Sequence, residues 1–354
     1  MFRINTDGTG YSVLHSFSAS GGYQPAAALV QGRNGNLFGT TQFGGNLGAG
    51  TVFKLSTNGT DFVQLYNFGT VAGDPRSPQA PLLQGIDGAL YGTTSAGGAS
   101  AVGGASGYGS IFKLNTDGTA EMVLHNFLPS GGDGQRPYAG LIQDDSGALY
   151  GTTQEGGATA NGGSSGFGTV FKINPDGTGY AILHSFYPVK ADGKYPNSGV
   201  VLGSDGALYG TTEYGGSNNL GAVFRLNRDG SQYVVIYSFG SSSGDGSYPK
   251  APLIRAASGG LFGTAQFGGN TNYGTIFRLN PAPSVVALVS ASPQGNLQLS
   301  LTAAPHFQYQ VQASNDGVQW AILTNIDNPT GVIEFADPRA SSAPKRFYRA
   351  AWVP

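Results

Sequence analysis

A unit of roughly fifty residues, written several times over, limits what this chain can fold into more than any other feature. The strings "GNLFGTTQFGG", "GALYGTTSAGG", "GALYGTTQEGG", "GALYGTTEYGG" and "GGLFGTAQFGG" recur along it, each followed after a Gly-rich connector by a run of the "TVFKL" type. The phenylalanine of that run stands at Phe2, Phe53, Phe112, Phe171, Phe224 and Phe277, at spacings of 51, 59, 59, 53 and 53 residues. Length changes only in the Gly/Ser-rich connectors, where insertions disturb least. Residues that recur in every copy are first suspected of building the copy.

Four short runs in each copy carry the β-branched and aromatic residues of strands, separated by Gly, Asp and Asn turn signals. In one copy they are "PYAGLIQ" at 137–143, then "LYGTT", "TVFKIN" and "YAILHSF", with "DDSGA" and "PDGT" as two of the turns. Asp-Gly and Asn-Gly favour tight hairpins because both central residues of such turns take positive φ readily. Four antiparallel strands per copy predict a β-propeller blade. Five copies of each strand type, with a sixth "VFKL"-type strand at 275–279, predict a five-bladed β-propeller whose two ends share one blade. Met1 falls where Val52, Ile111, Val170, Val223 and Ile276 stand in other copies, so an array of six or more blades, with copies upstream, is the alternative.

Inside the second strand, Gly39, Gly92, Gly151, Gly210 and Gly263 predict close approach of a neighbouring blade or a strand bend. Ala27, Ala80, Ala139, Ser198 and Ala251, each two residues after a proline, predict an innermost strand facing a narrow axis.

The repeats stop near "NPAPS" at 280–284. Beyond it, "VVALVSA", "NLQLSLT", "FQYQVQAS", "WAILTNI", "GVIEFADP" and "RFYRAAW" alternate as half-buried strands do. The predicted organisation is a repeat domain at 1–280, a linker at 281–284, and a small β-sandwich at 285–354 with Trp320 and Tyr348 in its core.

Composition excludes several function classes. The net charge is −2 with no Lys/Arg cluster, so the electrostatic footprint of a nucleic-acid binder is missing. There are no cysteines, hence no disulfide or thiolate chemistry, and no apolar run approaches the roughly 20 residues of a membrane span. The opening "MFRINTDG" carries no basic n-region or apolar h-region, so no export signal is read there. Glycine is abundant, but aromatic and aliphatic residues are spread evenly, which argues for a folded, turn-rich β protein.

The pairing of "G.LYGTT..GG" with "G.GTVFKLN.DGT.Y..LH.F" resembles the GloVer tandem repeat of bacterial choice-of-anchor proteins, over residues 1 to about 280. The resemblance implies a secreted or surface-attached repeat protein; this chain shows neither the export signal nor the anchor. A kelch relationship is weaker, since the Gly-Gly doublet is present but the tryptophan is not. The C-terminal segment resembles fibronectin type III-like modules.

Candidate chemistry is sparse. His15, His125 and His184 share one repeat position that carries Tyr66 and Tyr237 in other copies, which reads as structural rather than metal-ligating. No Ser/His/Asp set, P-loop or zinc spacing is present. Asp7, Asp117, Asp176 and Asp229 fall in one turn, and Asp87, Asp145 and Asp205 in another. Asp74, Asp133, Asp192 and Asp245 stand four residues before the repeat proline; turn formation explains them better than calcium, which otherwise is the one cofactor they suggest.

Strand parity puts both short turns on one face and both long connectors on the other, so the long-connector face is the candidate binding face. What varies there is Gln42-Phe43, Ser95-Ala96, Gln154-Glu155, Glu213-Tyr214 and Gln266-Phe267, with Tyr108, Phe167 and Tyr273 further on. Aromatics beside amides and carboxylates suit sugar stacking or a protein contact, and equally suit packing of the loops themselves. Glu155 and Glu213 are the only non-repeating connector acids and could serve a glycan hydrolase, but the inner strands carry no carboxylate. The reading is a monomeric, non-catalytic surface module for carbohydrate or protein; the alternatives are a structural spacer and a glycan-active enzyme.

Overall fold

A computed structural model describes residues 1–70, 73–98, 107–129, 132–158, 166–189, 191–203, 205–256, 260–279, 285–291, 297–302, 307–316, 318–328, 332–337 and 346–352. The linker expected at 281–284 lies outside them. The described residues are all-β, with no helix. The chain divides into two compact bodies: Met1–Val201 with Tyr209–Leu253 and Thr264–Thr275, and Leu202–Leu208 with Ile254–Gly263 and Ile276–Pro354.

Four sheets, followed by a three-stranded one, realise the four-strand repeat as read. Val30–Gln31, Leu37–Thr41, Thr51–Leu55 and Val63–Asn67 form one antiparallel sheet in chain order. Leu83–Gln84, Leu90–Thr94, Ser110–Leu114 and Met122–Asn126 form the next. Ile142–Gln143, Leu149–Thr153, Thr169–Ile173 and Ala181–Ser185 form the third. The fourth set is Val201–Leu202, Leu208–Thr212, Ala222–Leu226 and Val234–Ser238; the fifth is Ile254–Arg255, Leu261–Ala265 and Thr275–Leu279. Phe2–Arg3 and Ser12–Val13 form a hairpin ahead of them, seated on the first sheet where Phe17 meets Phe53.

Successive sheets pack face to face, consistent with a propeller. Phe68 at the end of the first sheet lies edge-on to Phe112 of the second at 5.1 Å, within a buried cluster that also holds Phe38, Val52, Leu82, Leu90 and Leu114. Phe127 and Phe171 repeat the contact one sheet further on.

The recurring "GTT" is explained by three contacts. The glycine sits opposite the phenylalanine of the third strand, as in the pairs Gly39 with Phe53, Gly92 with Phe112 and Gly151 with Phe171. A Cβ on Gly151 would lie 2.5 Å from Phe171 Cζ and 2.8 Å from Leu141 Cδ2. The close approach expected from a neighbouring blade is thus made by a ring of the same sheet lying over the glycine. Gly151→Ala is expected to destabilise the chain by about 1–3 kcal/mol through overpacking, seen as a lower urea midpoint; an unchanged midpoint would contradict this packing.

The first threonine ties one repeat to the next. Thr40, Thr93 and Thr152 donate Oγ1 to the carbonyls of Ala80, Ala139 and Ser198, at 3.3, 3.0 and 2.9 Å. The second threonine pairs across the sheet, Thr41 with Thr51 and Thr153 with Thr169, each at 2.8 Å. On the short-turn side, Gln84 and Gln143 accept from the N–H of Arg33 and Ile86 in the preceding repeat, both at 2.8 Å.

The short turns are held as expected: Asp7, Asp117 and Asp176 each accept from the N–H and hydroxyl of a threonine two residues on. In the other turn of the third repeat, Asp144 rather than Asp145 accepts the local donors, taking Ser146, Ala148 and the Tyr150 hydroxyl.

In the second body, Val285–Ala291, Leu297–Thr302 and Val332–Asp337 make one three-stranded antiparallel sheet, and Phe307–Ser314, Ala321–Asn328 and Phe347–Trp352 another. Tyr309, Val311 and Ala313 are buried, as their alternation predicted. Trp320 is half-buried under the Arg349 guanidinium at 4.2 Å, and Tyr348 donates its hydroxyl to buried Asp337.

Candidate functional site

The segments read as loops on the long-connector face hold a ladder of their own. Pro75–Arg76 pairs with Ala96–Gly97, Gly134–Gln135 with Glu155–Gly156, Gly193–Lys194 with Tyr214–Gly215, and Gly246–Ser247 with Phe267–Gly268. In the first repeat a bridge pairs Tyr23 with Phe43 at the same place. The two long connectors of a repeat are therefore zipped together, which fixes the variable residues on regular backbone.

The pinning residue is the one before each repeat proline. Gln24, Ser77, Arg136, Tyr195 and Tyr248 all have φ of 56° or 57°, in the left-handed region that a bulky residue seldom adopts. Arg136, Tyr195 and Tyr248 donate their N–H to Tyr108, Phe167 and Leu220, each at 2.8 Å, and accept from Gln154, Glu213 and Gln266 at 3.1–3.2 Å. Both backbone groups are committed, so the strained conformation is over-determined and the candidate residues inherit its rigidity.

Upon this frame a polar network crosses repeats. Gln154 donates its amide to Asn197, which donates its own to Glu213 Oε2, while Glu213 Oε1 meets Lys250 Nζ at 3.1 Å. Glu213 is only 9% exposed. Asn197 and Lys250 both follow a repeat proline, a position where the sequence shows only unlike residues and therefore no signal. Glu155 lies elsewhere, with its own cation: Arg136 Nη1 is 3.0 Å from its Oε1. The structure thus joins Gln154 to Glu213 through Asn197 and gives Glu155 and Glu213 separate partners.

The aromatics form a second continuous feature. Phe167, Tyr195, Tyr214, Tyr248 and Phe267 follow one another edge-to-face, with ring centroids 5.2, 6.0, 5.2 and 6.0 Å apart. They are half-buried to exposed, Phe267 reaching 41% exposure. Phe43 pairs with Tyr23 at 5.7 Å, outside this chain of rings. Gln42 and Gln266 hold their backbone bonds, Gln42 to the Gln24 carbonyl and Gln266 to that of Tyr248. Beside the rings, a cleft of about 360 Å³ is lined by Pro188, Val189, Ala191, Lys194, Ser217 and Asn219 among others. Lys194 lies over the Phe167 ring at 5.2 Å and reaches Asn219 Oδ1 at 3.4 Å.

Deeper in lie the four connector aspartates, and Asp133 and Asp192 staple one repeat to the next. Asp133 accepts from Leu128 N–H and His125 Nε2 at 3.0 Å, from Gly134 N–H at 2.8 Å and from the Tyr180 hydroxyl of the next repeat at 2.6 Å. His125 stacks on Tyr180 at 3.7 Å. Asp192 repeats this with Tyr187 N–H, Gly193 N–H and the Tyr233 hydroxyl, as His184 stacks on Tyr233 at 3.5 Å. Asp245 takes Ser241 N–H, Gly246 N–H and the Tyr237 hydroxyl, and Asp74 takes Thr70 N–H and Oγ1. Burial pushes the Asp133 and Asp192 carboxyls up, but the bonds they accept outweigh it and hold both below the usual carboxylate range. Burial and the facing aspartate drive the Tyr180 and Tyr233 hydroxyls far above the ordinary tyrosine value. Among the described residues no group of three or more His, Asp or Glu is arranged to hold a metal ion. His15, which stacks on Phe62 at 3.7 Å, completes the recurring His position as a packing element.

A model of the Gloeobacter/Verrucomicrobia repeat matches residues 1–157 and 101–303, two overlapping stretches that span both the second-strand and third-strand motifs. The chain belongs to that repeat family. No curated protein matches this repeat-family chain. Solved structures similar to it include a putative 6-phosphogluconolactonase from Bacteroides uniformis, 14% identical over 94% of each chain with a TM-score of 0.46. An α-L-arabinanase from Penicillium chrysogenum is 13% identical over 77% of this chain and 87% of its own, with a TM-score of 0.45. A putative TolB from Agrobacterium tumefaciens is 12% identical over 92% and 90%, at 0.41. For the repeat-family member itself, the chemistry rests on the network and the rings above.

Proposed function

We propose that the repeat array is a non-catalytic binding module, acting outside the cell or on its surface, and that it takes carbohydrate on the long-connector face of the third, fourth and fifth repeats. One observation carries this reading: the row of five rings from Phe167 to Phe267 and the Gln154–Asn197–Glu213–Lys250 network occupy the same consecutive repeats. Rings that present a face and an edge to solvent, next to fixed amides and hydroxyls, match a pyranose, which offers an apolar face and a polar rim. Tyr214 and Phe267 belong to the row, Gln154 and Glu213 to the network; Glu155 and Gln266 lie in the same repeats, and Gln42 and Phe43 lie in the first repeat, outside the proposed face. The five-blade count and the sandwich at 285–354 go with this proposal, the array holding the face and the C-terminal module carrying it.

The hydrolase reading has less support. A glycosidase needs two carboxylates facing one bond across roughly 5–9.5 Å, and here Glu155 and Glu213 are each engaged by a separate cation. The test is electrophoresis of the purified chain in gels containing soluble polysaccharides, with a reducing-end assay on the same mixtures. Retardation without new reducing ends is the expected result. New reducing ends that vanish in Glu155→Gln or Glu213→Gln would establish an enzyme, and neither retardation nor product would leave a protein ligand or a spacer.

A further inference from the structure

The staple between successive repeats is built from three positions: a His or Tyr on the outer strand, an aromatic on the next repeat stacked against it, and the connector aspartate. Aligning the repeats gives His125, Tyr180 and Asp133 in one seam, and His184, Tyr233 and Asp192 in the next. In both, the stacked tyrosine supplies a hydroxyl to the aspartate, at 2.6 and 2.5 Å. The hairpin-to-first-sheet seam has His15 and Phe62, and a glycine, Gly21, at the aspartate position; donor and acceptor are lost together.

The seam between the first and second sheets breaks this pairing. Its positions are Tyr66, Asp74 and Glu121, so the place of the donating tyrosine is taken by a second carboxylic acid. Asp74 is 8% exposed and accepts from Thr70. Glu121 Oε1 is buried and no donor reaches it. An ionised carboxylate with an unmet buried oxygen is penalised by burial and by the charge of a second carboxylate, and one proton relieves both.

We propose that Glu121 keeps its proton in the folded chain and donates it to Asp74, so that a carboxyl–carboxylate hydrogen bond holds this seam where tyrosine–aspartate bonds hold the next two, and that the seam loosens as pH rises. The groups facing Glu121 are Asp74 from the connector and Tyr66 from the outer strand. Burial, then the Asp74 charge, raise the Glu121 carboxyl, against a smaller lowering by the Tyr66 hydrogen bond. Tyr66 in turn is pushed up to about 12, by burial first and by the Glu121 and Asp74 charges after it. A folded-state value above 4.5 means that the folded chain binds more protons than the unfolded one; stability contributed here is full below 4.5 and is lost as pH climbs through the raised value. Asp133 and Asp192, whose values are lowered, respond with the opposite sign. Equivalent seams of one array thus weaken at opposite ends of the pH scale.

The experiment is urea unfolding of the full chain from pH 5 to 9, as wild type, Glu121→Gln and Glu121→Tyr, with a carboxyl-carbon NMR titration of Glu121. Each unit by which Glu121 titrates above 4.5 should lower the folded-to-unfolded ratio about tenfold on the alkaline side. The wild-type midpoint should fall over that range, Glu121→Gln should flatten the fall, and Glu121→Tyr should remove it and raise the midpoint at pH 8. Parallel pH profiles in all three, or a Glu121 carbon already ionised at pH 5, would overturn the proposal. So would calcium restoring the wild-type midpoint at pH 8 in a chelator-sensitive way, since a cation rather than a proton would then join the two acids. Should Glu121→Gln not fold, Glu121→Tyr and the titration decide.

Discussion

Asp192→Ala is expected to lower the stability of the array by about 3–5 kcal/mol, the range for removing one partner of a buried charged network. The size follows from what is left behind. Asp192 is 7% exposed, and its loss strands the Tyr233 hydroxyl together with the N–H groups of Tyr187 and Gly193, three donors that water cannot easily reach. Asp192→Asn keeps one acceptor oxygen and should cost less. Urea midpoints read the difference, and equal midpoints for wild type and Asp192→Ala would remove the aspartate staple from the account. Because the Asp133 and Asp192 carboxyls are held below 3.8 in the folded chain, their contribution is present above that value and disappears as pH falls through the lowered ones. Acid should therefore open the seams of the later repeats first.

Tyr248→Asn is expected to weaken polysaccharide binding by about 2 kcal/mol, roughly 30-fold, the scale of an aromatic hot spot. Tyr248 joins Tyr214 on one side to Phe267 on the other, so its removal splits the row of rings. Asparagine is the suitable replacement because φ at this position is 57°, which asparagine tolerates better than most residues. The backbone bonds to Leu220 and Gln266 should survive, and thermal unfolding should move little. Tyr248→Phe, which keeps the ring and loses the hydroxyl, should retain most of the affinity. Equal affinity in Tyr248→Asn would exclude the row as the contact surface.

Much of the fold was legible because the repeat shows which residues build and which vary. The four strands, the Asp-Gly turns and the six C-terminal strands follow from alternation and turn chemistry, which are local. The glycine of "LYGTT" was misplaced for a non-local reason: the ring that needs the space comes from Phe171, twenty residues on, and register is invisible until strands pair. The short ladders between long connectors were missed because two-residue strands such as Glu155–Gly156 carry no period. Of the candidate site, Gln154, Glu213, Tyr214 and Phe267 stood out by varying within an otherwise constant frame. Asn197 and Lys250 did not, since a position that holds Ala26, Gln79, Tyr138, Asn197 and Lys250 shows no pattern. The staple tyrosines Tyr180 and Tyr233 were hidden by Phe62 and Glu121 at the same position. The histidine position accepts tyrosine because the Tyr237 hydroxyl reaches Asp245 as His125 Nε2 reaches Asp133.

The most direct test compares two aromatic patches on one face by affinity electrophoresis in the polysaccharide that retards the wild type. Tyr214→Ala with Tyr248→Asn is expected to abolish retardation, while Tyr23→Ala with Phe43→Ala, which removes the isolated pair of the first repeat, is expected to leave it intact. Loss in the second variant with retention in the first would contradict a ligand face confined to the third, fourth and fifth repeats.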